Sequence, residues 1–177
     1  NLIPYKGHED LNRALEKNAP QMDMPWRLIL IGRDDGIQVQ LQELVSSLRL
    51  SERVVFVGQV SDASAYWAIG DIGVLPSHQE GFSNSILEGM AAGLPMVVTN
   101  VGGNAEAVLH EVTGLVVPPH SPNELAAALN SLILNAPKRR AFGRAAYLRV
   151  KEKFSLDNCL IAYSNLYSEI LRGEECL

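Results

Sequence analysis

Short apolar runs alternate with segments of helical period along this chain. Arg27-Leu28-Ile29-Leu30-Ile31-Gly32 reads as a buried strand closed by a glycine turn. Val39, Leu41, Leu44, Val45 and Leu48 then recur at helical spacing within residues 37–50. Val54-Val55-Phe56-Val57-Gly58 is a second strand, and residues 61–70 form a short helix with Ser61 or Asp62 as N-cap. Asp71-Ile72-Gly73-Val74-Leu75-Pro76 is a third strand. The helix over residues 84–92 stops at Gly93, just before Pro95. Pro95-Met96-Val97-Val98-Thr99 is a fourth strand, residues 104–109 a short helix and residues 113–117 a fifth strand. After Pro118-Pro119 the chain is helical. Ser121, Pro122 and Glu124 suggest a capping box, Asn135-Ala136-Pro137 a break, and Ser155-Leu156-Asp157-Asn158 the start of a last helix.

Near-continuous apolar strands alternating with helices predict an α/β domain over residues 1–177, a Rossmann-like parallel sheet covered by helices on both faces. Such sheets bind ligands at the carboxyl ends of their strands. The segments 58–60, around Glu80, and 99–103 all fall on that edge. Asn1-Leu2-Ile3-Pro4 reads as the tail of a strand already under way, so a piece of a longer chain is expected.

Composition narrows the function classes. The net charge of -5 argues against a general nucleic-acid binder. Cys159 and Cys176 form no metal-type pair, and a reduced, cytoplasmic chain is expected. No signal peptide and no run long enough for a membrane span is visible. Residues 138–153 hold seven basic residues against one acid. A solvated basic face is the simpler reading, and peripheral contact with the inner face of a membrane is the alternative.

The candidate chemistry lies in the run Ser77-His78-Gln79-Glu80-Gly81-Phe82-Ser83-Asn84-Ser85-Ile86-Leu87-Glu88. Glu80 sits in a loop after an apolar strand. Glu88 lies about one turn into the next helix. Carboxylates accept hydrogen bonds from hydroxyls, and free amides at a helix N-terminus attract phosphate, so the set suits a polyhydroxylated, anionic ligand. Paired carboxylates also serve glycoside hydrolysis, but the helix N-terminus between them favours phosphate recognition. Each glutamate alone could be a solvated charge, although Glu88 stands among apolar and small residues. Gly102-Gly103 permits a tight turn or close approach of a ligand, and its place beside the Glu80 loop favours the ligand. Lys6, in a strand-to-helix loop on the same edge, is a candidate phosphate partner. His78 and His120 lack neighbours at metal or triad spacing. Ser77, Ser83 and Ser85 lack a nucleophile frame, and phosphate-loop and dinucleotide fingerprints are absent.

Assembled, these pieces resemble the C-terminal domain of the family 4 (group 1) retaining glycosyltransferases of GT-B fold. The resemblance rests on Lys6-Gly7, Leu30-Ile31-Gly32, Val54-Val55-Phe56-Val57-Gly58 and Val74-Leu75-Pro76-Ser77. It is strongest from Glu80-Gly81-Phe82 to Glu88-Gly89-Met90-Ala91-Ala92-Gly93-Leu94-Pro95, with its E-x7-E spacing, and continues through Gly102-Gly103-Asn104-Ala105-Glu106 and Gly114-Leu115-Val116-Val117-Pro118. It implies a nucleotide-diphosphate sugar as donor. Glu80 would hold the sugar hydroxyls beside the amides of Gly81, Phe82 and Ser83, and Glu88 would hold the ribose. Asn84 and Ser85 would face the diphosphate with Lys6, and Val60, with Asp62 nearby, would meet the base. It further implies retention at the anomeric carbon, no required metal or other cofactor, and a glycan or lipid-linked sugar as acceptor. An acceptor-binding N-terminal domain would be missing from this chain. Two departures stand out: Asn1 where the family often has arginine, and Ser83 where it often has glycine. A non-catalytic sugar-nucleotide-binding domain and an epimerase-like protein of this fold are the alternatives. A phosphorylase would need a pyridoxal-phosphate lysine, for which no context exists.

Overall fold

The computed structural model describes residues 1–18 and 24–172. Its strands are β1 (Leu28–Ile31), β2 (Val54–Gly58), β3 (Gly73–Leu75), β4 (Met96–Thr99) and β5 (Gly114–Val117). Its α-helices are α1 (His8–Asn18), α2 (Gln38–Ser47), α3 (Ser64–Ile69), α4 (Asn84–Ala91), α5 (Asn104–Ala107), α6 (Pro122–Ile133), α7 (Ala136–Lys153) and α8 (Leu156–Arg172). The one helix without bounds in the sequence reading is α1, whose only apolar positions are Leu11, Ala14 and Leu15 in an otherwise polar run.

All strand pairings are parallel, as expected, but they form two sheets, β1-β2 and β3-β4-β5. The N-terminal segment joins them. Leu2 donates its amide to Arg33 O and accepts from Asp35 N, while Tyr5 O accepts from His78 N. This segment cannot extend as a ladder strand because Pro4 has no N–H and the chain turns into a 3-10 helix at Pro4–Lys6.

Strand β4 is buried along its whole length, and its side chains alternate between two cores. Val97 packs with Leu115, Leu11, Leu15 and Leu125, from β5, α1 and α6. Met96 and Val98 point the other way, to Ile86 and Met90 of α4 and Ala146 of α7. Helices therefore cover both faces there. Strands β1 and β2 differ from expectation: Ile29 and Val55 are exposed, because no helix among the described residues covers that face.

Several local signals resolve differently from the sequence reading. Helix α3 begins at Ser64, and Asp62 accepts from both the amide and the hydroxyl of Ser64 at 2.8 and 2.7 Å. Ser121 forms no capping box; its hydroxyl donates to Pro119 O instead. Asn135 does cap α7, accepting from Lys138 N at 2.9 Å, and Ser155 accepts from Asn158 N.

The basic run is only partly a solvated face. Arg139 donates to Leu132 O and Ile133 O at the end of α6, and Arg149 to Ala107 O and Glu106 O at the end of α5. Both guanidinium groups satisfy carbonyls that a helix end leaves unpaired. Lys138 pairs with Glu111 at 3.0 Å, while Arg140, Arg144, Lys151 and Lys153 are exposed. Cys159 is free and exposed, and Cys176 lies outside the described residues. No described helix is long and apolar enough to cross a membrane.

Candidate functional site

The loop after β3 carries Glu80 into the carboxyl edge of the β3-β4-β5 sheet. Its carboxylate accepts from the Lys6 ammonium, contributed by the 3-10 turn 74 residues earlier, and from Ser77 Oγ at 2.8 Å. Ser77 is fully buried, and its carbonyl accepts from the Thr99 hydroxyl at the end of β4. Three segments distant in sequence thus aim one carboxylate. The side chains of Lys6 and Glu80 are 21% and 10% exposed, so the pair is partly desolvated and its attraction exceeds that of a surface pair.

Gly102 and Gly103 support this loop from behind. Gly102 has φ +51°, and a Cβ there would stand 2.1 Å from Glu80 O. Gly103 donates its amide to Gly81 O at 2.6 Å. The paired glycines thus let the backbone of this turn pack directly against the Glu80 loop, the tight-turn role open to them in sequence. Gly81 itself faces open space. Phe82 leans on Phe154, with ring centroids 5.6 Å apart.

Helix α4 follows directly. Ser83 occupies its N-cap position, buried, with no side-chain bond to the first amides. Those amides at Asn84 and Ser85 have no intrahelical acceptor, and both residues are exposed. Ser85 also lines a crevice of about 310 Å³ with Gly32 and Arg33 beyond β1, Gln59 and Val60 beyond β2, and Ala63. Val60 and Ser85 at the start of α4 thus line one crevice.

Glu88 departs from expectation. Its surroundings in sequence suggested a carboxylate among apolar groups, yet it is exposed and accepts from Trp67 Nε1 at 3.2 Å. Met90, Ile86 and Gly89 turn to the core, so the helical period leaves position 88 at the surface. Trp67 lies four residues after Ala63, and Glu88 three after Ser85. Residues so spaced share a helix face. The Trp67–Glu88 contact therefore stands about one turn beyond the crevice, along the same two helices.

Sequence reasoning missed Arg33. It lines the crevice and donates to Asp35 at 2.7 Å, and that hydrogen bond holds the Asp35 carboxyl below the usual carboxylate range. A charged residue directly after the glycine that closes β1 was the available signal. Asn1, where the resemblance expects arginine, lines the same crevice. The histidines without neighbours in sequence gain them in the fold: His78 and His120 meet Asp10 on the wall of a second cavity. That cavity is lined by His8 as well, whose imidazole is pushed down by burial.

The sequence profile of the family described as "Glycosyl transferases group 1" matches residues 1–149. The chain belongs to the group 1 glycosyl transferases. N-acetyl-alpha-D-glucosaminyl L-malate synthase of Bacillus anthracis is 28% identical over 176 residues, covering 99% of this chain and 45% of that protein. Among solved structures, Anabaena HepE in complex with UDP-glucose superposes with a TM-score of 0.84 at 30% identity, covering 94% of this chain and 47% of HepE. The C-terminal domain of a group 1 family glycosyl transferase from Francisella tularensis superposes with a TM-score of 0.77 at 26% identity, over 86% of this chain and 81% of that domain. This glycosyl transferase chain thus spans less than half the length of the Bacillus and Anabaena relatives. It corresponds to the C-terminal domain of the family's GT-B architecture, and the expected Rossmann-like α/β fold is borne out.

Proposed function

We propose that this chain is the donor-binding domain of a retaining glycosyltransferase that takes sugar from a nucleotide-diphosphate donor. The observation that carries the reading is the crevice in which Val60 and the open amide end of α4 face one another, with the Lys6–Glu80 pair on the neighbouring loop. The UDP and UDP-glucose complexes of HepE support it. The base lies against Val60 and Gln59, the ribose hydroxyls on Glu88, and the diphosphate over Asn84 and Ser85. The sugar hydroxyls meet Glu80 and the amides of Gly81, Phe82 and Ser83.

Departure of the sugar leaves negative charge on the diphosphate. Lys6, the dipole of α4 and Arg33 stabilise that charge at fixed positions, so no metal is required at the diphosphate. Arg33 takes the part of the cation that Asn1 does not supply. Glu80 is aimed by Ser77 and Lys6 before the donor arrives, which lowers the cost of ordering it. The acceptor, a glycan or a lipid-linked sugar, is bound by an N-terminal domain. The chain alone binds nucleoside diphosphate weakly and transfers no sugar.

Calorimetric titration with UDP, GDP, ADP and their sugar conjugates tests the assignment. Glu88→Ala weakens nucleotide binding by roughly 1–3 kcal/mol, the range for losing a charged hydrogen bond. Unchanged affinity would remove the ribose role. Glu80→Ala spares the plain diphosphate and weakens only the sugar-bearing form; equal losses for both ligands would count against it.

A further inference from the structure

The second cavity, of about 710 Å³, opens between α1, α2 and the loops after β3 and β5. It shares no lining residue with the crevice at Val60 and Ser85. Asp10 from the first turn of α1, His78 from the loop after β3 and His120 from the loop after β5 converge on its wall. One ligating atom from each lies within 4.8 Å of the other two. His78 Nε2 stands 2.8 Å from Asp10 Oδ2. The two imidazole rings are 3.7 Å apart between centroids and tilted by 35°. None of the described residues hydrogen-bonds to the His120 ring. His120 also holds φ +54°, a left-handed backbone that a residue with a side chain adopts at some cost.

We propose that Asp10, His78 and His120 form a binding site for a divalent transition-metal ion of the zinc type. Two imidazoles and one carboxylate match the donor set of a three-ligand zinc site, in which water completes the tetrahedron. With metal–ligand distances of roughly 2.0–2.2 Å, neighbouring ligands of a tetrahedral ion stand roughly 3.4 Å apart. The observed atoms, at 2.8 Å for His78 and Asp10 and within 4.8 Å for all three, bracket that spacing. The fourth position faces the open cavity. The ion ties α1 to two loops, one of which carries Glu80 two residues after His78. Its role is to position these segments, not to contact the reacting atoms. The ligands are invisible as a motif because they come from positions 10, 78 and 120 and meet only through the parallel topology.

The test uses the 177-residue chain with Cys159→Ser and Cys176→Ser, so that thiols cannot bind the metal. After chelator treatment it is titrated with Zn²⁺ by calorimetry and with Co²⁺ by visible absorption. The expected result is one ion per chain and a cobalt spectrum with the intense d–d bands of four- or five-coordination. His120→Ala and Asp10→Asn each lower the affinity about ten-fold or more, while His110→Ala, outside the cluster, leaves it unchanged. Circular dichroism checks each fold. Should a variant unfold, His120→Gln at the exposed position replaces it. No saturable Zn²⁺ binding, equal affinity after loss of His120, or equal competition by Mg²⁺ would overturn the proposal.

Discussion

Glu80 and Glu88 belong to one short run, yet the two regions around them are built differently. Glu80 is held by groups from the chain's first turn, from the end of β3 and from the glycine pair after β4. Glu88 rides on a helix surface with one neighbour, Trp67. The first region is preorganised by tertiary contacts and is sensitive to disturbance of any of them. The second keeps its direction from helical geometry and tolerates change around it. An arrangement of this kind gives a rigid point for one part of a ligand and an accessible one for another.

Substitutions separate the regions. Gly102→Ala drives a Cβ into the carbonyl of Glu80 at a left-handed backbone position, and it is expected to cost about 3 kcal/mol in denaturant melts. Gly81→Ala, which points into open space, shifts stability by about 0.5 kcal/mol or less. Equal effects of these two would erase the contrast. Lys6→Met leaves a 10%-exposed carboxylate without its cation, and a loss of about 2 kcal/mol is expected, between surface and buried pairs. Adding Glu80→Gln should recover part of that loss; strict additivity would show that the pair does not couple. Glu88→Ala, by contrast, changes stability by about 0.5 kcal/mol or less while weakening nucleotide binding, which separates its two roles in one set of titrations.

The smallest effect concerns the start of α3, next to the crevice. The Ser64 amide and hydroxyl hold the Asp62 carboxyl below the usual carboxylate range. Its charge therefore stabilises the fold above the ordinary pKa of about 3.9, and that contribution is lost as pH falls through the lowered value. Asp62→Asn should melt slightly below the native chain at pH 7, and the two curves should converge as the pH falls through the lowered value. A gap that persists in acid would assign the effect to side-chain shape instead of charge.

Much of this architecture was legible in advance. The strands read at residues 27–32, 54–58 and 95–99 fall within two residues of those observed, because short apolar runs closed by glycine or opened by proline mark strands whether one face or both are covered. Helix α4 and its glycine stop were equally readable. Position Glu88 was less so: its neighbours in sequence are apolar, but burial on a helix follows every third or fourth residue, not adjacency. The basic run misled for a related reason. Charge counts do not say which guanidinium groups will meet the carbonyl ends of α5 and α6.

Local order, then, was determined by the chain itself: which segments extend, which coil, where glycine and proline end them, and that two carboxylates flank one helix start. These depend on interactions between residues a few positions apart. The fold alone decided that Lys6 would find Glu80, that Gly102 would brace the loop before it, that Arg33 would reach the crevice, and that Asp10, His78 and His120 would gather on one wall. Each of these joins residues far apart in sequence, and parallel strand order, which no single segment encodes, brings their carboxyl ends to the same edge.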